Sequence, residues 1–139
     1  MKILVCTDGS NHSEAIIEKA VEIANRIGDV EASIIYVDDL EQSMVPSHAI
    51  SHFKEEKREI EEKILNEAKK SFEAEGIKVD TMLEKGKPAS VISRKASKGD
   101  YELIILGNRG HSGMERFFLG SVTNAVAQQT DTDVYIVKK

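Results

Sequence analysis

The chain has 139 residues, 40% of them apolar and 31% charged, with a formal net charge of −5. That length holds one domain with a real core and is short for two, and the composition excludes pervasive disorder. The negative charge argues against generic nucleic-acid binding, because duplex phosphates would be repelled, and no apolar run approaches the length of a membrane span.

The first predicted element is the apolar run KILVCTD (2–8). It follows Met1 without the tripartite pattern of a secretory signal, so a reducing, cytoplasmic setting is expected. The single cysteine, Cys6, falls inside this run and reads as a small buried hydrophobe. Next, SEAIIEKAVEIANRIG carries Ile16, Ile17, Ala20, Val21, Ala24 and Ile27 at helical spacing, with Ser10 and Asn11 as candidate caps and Gly28 as the stop. ASIIYVDD (32–39) is the second strand. Residues 40–52, LEQSMVPSHAISH, have little periodicity and are expected to be a loop. His48 and His52 are four apart within it, but they have no third ligand at a telling spacing, and solvent-exposed histidines are expected there.

FKEEKREIEEKILNEAKKSFEAEG (53–76) places Ile60, Ile64, Ala68 and Phe72 four apart and predicts one apolar helical face. IKVDTMLEKG (77–86) alternates as a strand near a sheet edge does. Pro88 opens a short helix that runs to Lys98 and is ended by Gly99. YELIILG (101–107) is continuous and apolar, as a central strand is. Ser121 can cap a helix bearing Val122, Ala125 and Val126, and DVYIVKK (133–139) is the last strand. Five strands alternating with four helices imply one doubly wound α/β domain over residues 1–139, with a parallel sheet covered on both faces. Ligands of such sheets sit at the carboxyl ends of the strands where the order reverses. If the first and fourth strands are neighbours there, TDGS (7–10) and GNRG (107–110) face one crevice.

The chemistry concentrates after the fourth strand, in four glycines: Gly107, Gly110, Gly113 and Gly120. The spacing is Gly107-x-x-Gly110, nine residues, then Gly120-Ser121 opening a helix. N–H groups at a helix start, the positive end of its dipole and the Ser121 hydroxyl suit a phosphate, and the first glycine pair lets the chain turn around the same anion. Taken alone, the glycines fit an ordinary surface loop equally well. No Gly-Lys-Ser/Thr ending and no G-x-G-x-x-G follow a strand, which excludes the two commonest phosphate loops. Residues 85–116 hold seven basic and three acidic side chains, so this stretch carries +4 against −9 for the rest. Most of these are expected on solvated helix faces, with Arg109 the one placed to attract a small anion. Asp38 and Asp39 invite comparison with a phosphorylation receiver, but they follow the second strand and no aspartate ends the third, so that alternative is rejected.

With this spacing on view, the chain resembles the nucleotide-binding members of the universal stress protein family, which carry G-x-x-G-x(9)-G-(S/T). Gly107, Gly110, Gly120 and Ser121 reproduce it without a gap, ILVCTDGSNHSEAI resembles the family's first strand and acidic loop, and IIYVDD its second strand. The resemblance covers essentially the whole chain, least clearly residues 40–55; Asp133 stands where the family often has a proline. It implies a five-stranded sheet in order 3-2-1-4-5 and ATP as ligand, with Mg or Mn as candidate companion and no metal ligands assigned. It would set Thr7 and Asp8 near ribose and adenine, Val37 at the adenine edge, and Gly107, Arg109 and Gly110 along ribose and phosphates. Gly120, Ser121, Val122 and Thr123 would close on the phosphate tail. It further implies a homodimer paired through the last strand (133–138), with neither nucleic acid nor membrane as partner. The expected role is a nucleotide-dependent sensor or regulator in the stress response with little or no turnover. The alternatives are a slow ATP-hydrolysing enzyme, for which His111 is the plausible base, and an interaction module independent of nucleotide.

Overall fold

The computed structural model describes residues 1–39, 50–108 and 120–138. In chain order the elements are β1 (Lys2–Cys6), α1 (Ser13–Ile27), β2 (Glu31–Asp38), α2 (Ile50–Glu73), β3 (Lys78–Lys85), α3 (Pro88–Lys98), β4 (Leu103–Gly107), α4 (Ser121–Gln129) and β5 (Asp133–Val137). The strands form one sheet in the order β3-β2-β1-β4-β5, every neighbouring pair parallel. The expected order holds, and β1 and β4 are adjacent, with Ile3, Leu4 and Val5 opposite Leu103, Ile104 and Ile105.

Alternation along the strands divides the core in two. Ile3 and Val5 of β1 point to the face where Ile16, Ile17 and Ala20 of α1 and Leu65, Ala68 and Phe72 of α2 pack. Leu4 and Cys6 point to the other, against Val91, Ile92 and Ala96 of α3 and Val126 of α4. Because both faces are covered, the inner strands must be apolar at successive positions, which is why KILVC and LIILG are continuous runs. Phe72 is wholly buried, and truncating it to alanine should cost about 3–5 kcal/mol.

Three helix expectations need correction. The residue capping α1 is His12, not Ser10 or Asn11, and it makes no side-chain cap bond. On α2 the inward stripe is Glu61, Leu65, Ala68 and Phe72; Ile60 is 61% exposed while Glu61 is 4% exposed. A repeat of four residues runs about 40° ahead of the helix at each step, so three steps carry Ile60 roughly 120° away from Phe72. Steps of four, three and four return to within about 20°, which puts Glu61 inside. On α4, Gly120 is the cap residue, Ser121 lies in the first turn without a cap bond, and Thr123 and Val126 face inward while Val122 is exposed.

Candidate functional site

The crevice at the carboxyl ends of β1 and β4 is walled on one side by the β1–α1 loop. Thr7 is buried, and its N–H donates to the carbonyl of Ile35 (3.0 Å), fixing the loop to β2. Asp8 Oδ1 accepts from the Ser10 N–H (2.9 Å) and the Ser13 hydroxyl (3.2 Å), so this carboxylate folds the turn and steadies the start of α1. Gly9 lies at φ 71°, and a Cβ there would meet Ile64 Cδ1 of α2 at 2.7 Å. Its backbone angle favours glycine, and the neighbouring Ile64 side chain would have to move for any other residue.

The opposite wall is the start of α4. The N–H of Gly120 donates to the carbonyl of Asn108 (2.7 Å), and the Thr123 hydroxyl donates to the carbonyl of Gly107 (2.5 Å). The Thr123 hydroxyl proton is thereby committed inside the protein. The first i→i−4 bond of the helix runs from the Asn124 N–H to Gly120, so the N–H groups of Ser121, Val122 and Thr123 have no acceptor within the helix. Ser121 is exposed beside them.

Gly107 has a reason to be glycine that the spacing does not reveal. A Cβ there would lie 2.6 Å from His12 Cδ2 and 2.7 Å from Ile16 Cδ1, so α1 takes up the room. His12 is 3% exposed, and its Nε2 lies 2.9 Å from the carbonyl of Val137 at the end of β5. The N–H of Asn108 donates to that same carbonyl (3.0 Å).

At the end of β2, Val37 packs against the α3/α4 core and Asp38 accepts from Lys57 Nζ (2.7 Å). Tyr36 points to the α1/α2 side, where burial and then the carboxylates of Glu61, Asp8 and Asp38 push its phenol up to about 12. The Glu61 carboxyl is raised above the usual carboxylate range by burial first and then by Asp38, against the pull of Lys57 and Lys85; its Oε2 is buried without a hydrogen-bond partner. Burial likewise pushes the Cys6 thiol up to about 12, which makes it an inert core residue as expected.

The structure therefore brings Thr7, Asp8, Val37, Gly107, Gly120, Ser121, Val122 and Thr123 to the carboxyl end of the sheet. Arg109 and Gly110, like Gly113, His48 and His111, lie outside the described residues. Sequence reasoning missed His12, Asn108 and Glu61. Only Glu61 carried a signal, in the 4-3-4 spacing that places it on the stripe of Leu65, Ala68 and Phe72. Among the described residues no three His, Cys, Asp or Glu side chains converge on a metal position, and no helix is long and apolar enough to cross a membrane.

The fold is shared with known proteins. The model of the universal stress protein family matches residues 1–138. Universal stress protein YxiE of Bacillus subtilis is 33% identical over 146 residues, covering 99% of this chain and 98% of its own length. Among solved structures, hypothetical protein MJ0577 superposes with a TM-score of 0.80 at 25% identity, over 99% of this chain and 95% of that one. A universal stress protein solved in complex with cAMP gives a TM-score of 0.70 at 26% identity, over 99% and 96%. The chain belongs to the universal stress protein family.

Proposed function

We propose that the chain binds an adenine nucleotide, ATP, across this crevice and acts as a nucleotide-dependent sensor or regulator in the stress response. The observation that carries the proposal is the pairing of two walls where the strand order reverses: an Asp8-folded loop on β1, and a helix start on β4 whose first N–H groups lack helical acceptors. The complex of a relative with cAMP supports an adenine nucleotide as the class of ligand.

Electrostatics give the ligand a direction. At the β2 side the Asp8 carboxylate is an acceptor and Asp38 is paired with Lys57, which suits base and ribose better than phosphate, so base and ribose belong there, with Thr7, Asp8 and Val37. The phosphates belong at α4, under the N–H groups and the Ser121 hydroxyl, and the family resemblance assigns Arg109 and Gly110 to the same ligand. A Mg or Mn ion accompanying ATP enters on the phosphates in this account. Turnover is slow or absent, because the Ser121 hydroxyl and helix N–H groups stabilise phosphate without activating water. Calorimetric titration of ATP into the wild type and Gly120→Val tests the assignment. The buried glycine should not admit a β-branched side chain without losing the phosphate contacts, and equal affinity of the two proteins would refute it.

The same reading has the chain pair with a second copy along β5. Tyr135 is 42% exposed on this edge strand. The Val137 carbonyl accepts from Asn108 and so faces β4; backbone alternation turns the groups of Ile136 to the open edge. Ile136→Pro removes an outward donor and leaves the β4 ladder intact, so sedimentation should show monomers. An unchanged dimer would place the interface elsewhere.

A further inference from the structure

His12 sits where three pieces of the site meet. It caps α1, four residues after Asp8; its imidazole crosses over Gly107, the last residue of β4; and it ends on the carbonyl of Val137, the last residue of β5. A carbonyl can only accept, so Nε2 carries a proton and donates (2.9 Å). Nδ1 is buried without a hydrogen-bond partner. The Val137 carbonyl also accepts the N–H of Asn108, and the Asn108 carbonyl accepts the N–H of Gly120, the cap of α4. Three hydrogen bonds thus run from the cap of α1 to the cap of α4 through the end of β5. A Cβ at Gly107 would lie 2.6 Å from the ring, so the bare glycine leaves the room in which the imidazole follows this path.

We propose that His12 is a positioning residue that fixes the separation between the loop of Asp8 and the start of α4, and thereby the register in which one ligand reaches both. It touches neither base nor phosphate. The inference rests on the adenine-nucleotide reading above, and it adds a consequence: the imidazole matters for ligands that span the crevice and not for those held at one wall. ATP spans it, whereas adenosine reaches only the wall of Thr7, Asp8 and Val37.

The test compares ATP and adenosine affinities in the wild type, His12→Phe and His12→Gln. Phenylalanine keeps a ring over Gly107 and loses the donor; glutamine offers an amide N–H at nearly the reach of Nε2. His12→Phe should weaken ATP by roughly tenfold, about 1.4 kcal/mol, and leave adenosine within about twofold. His12→Gln should recover most of the loss. A merely structural role would lower both ligands together, and that result would overturn the proposal, as would unchanged ATP affinity in His12→Phe or a glutamine variant as weak as the phenylalanine one. A wild type that binds no ATP would refute the nucleotide reading itself, which the ratio in the variants does not test. Long-range nitrogen–proton NMR supplies a check that needs no ligand: protonated Nε2 with Nδ1 bare is expected, and the opposite tautomer would break the path.

Discussion

The two walls of the crevice are held in opposite ways. The β1–α1 loop is folded by its own side chains: Asp8 reaches Ser10 and Ser13 within five residues, and Gly9 makes the turn. Among the described residues the start of α4 has no side-chain cap, and the bonds that hold it there run to the carbonyls of Asn108 and Gly107, at least 12 positions away in sequence. The turn of the first wall is therefore encoded locally, and its Asp8 carboxylate is already engaged. The second is set by tertiary contacts and keeps its first N–H groups without helical acceptors, which is what a site for an anion requires. A side chain removed from the first wall should be felt by the fold, and one removed from the second by the ligand.

Among changes at the walls, the largest expected effect breaks the junction between them. Gly107→Val drives a side chain into His12 and Ile16 and should destabilise the protein by about 1–3 kcal/mol or more in urea unfolding. An unchanged midpoint would mean that α1 does not pack against β4 as described. Asp8→Ala removes the acceptor that folds the first wall and should cost roughly 0.5–2 kcal/mol without any ligand present. Stability equal to wild type would erase the contrast between the walls.

Beneath the first wall, Glu61 gives the contrast a pH dependence. Its pKa in the folded protein is raised above the ordinary 4.5, so the native state holds this proton more tightly than the unfolded chain. Stability from this group is then greatest below pH 4.5 and is lost as pH rises through the raised folded pKa. Glu61→Gln should melt higher than wild type at pH 7, with the gain vanishing toward pH 4; a lower melting temperature at pH 7 would show that the ionised carboxylate is needed. The smallest effect sharpens the comparison at the second wall. Ser121→Ala should leave stability within about 0.5 kcal/mol and weaken ATP by roughly 0.5–1.5 kcal/mol in calorimetry. A loss of stability with unchanged affinity would reverse the assignment.

What the sequence made legible follows the same division. Strands β1 and β4 are readable because burial on both faces leaves no polar position in ILVC or IILG, and the turn at Asp8-Gly9-Ser10 is readable because its bonds are local. The strand order came with the family resemblance, not from periodicity. His12 was invisible because its partner, Val137, lies 125 residues away, and Gly107 pointed to a ligand when its missing Cβ answers first to His12. Ile60 and Glu61 exchanged places because a four-residue repeat drifts around a helix. The Thr123 hydroxyl looked like a phosphate donor, but it closes on Gly107 and leaves the Thr123 N–H for that role.

The nucleotide-binding proposal turns on whether one nucleotide touches both walls at once. Titrating ATP with Mg into isotopically labelled protein and following backbone amide NMR signals reads this residue by residue. Saturable shifts are expected at Thr7, Asp8 and Val37 together with Ser121, Val122 and Thr123, all fitting a single dissociation constant. Shifts confined to one wall, or clustered instead at the amino ends of the strands around Glu102 and Asp131, would contradict it.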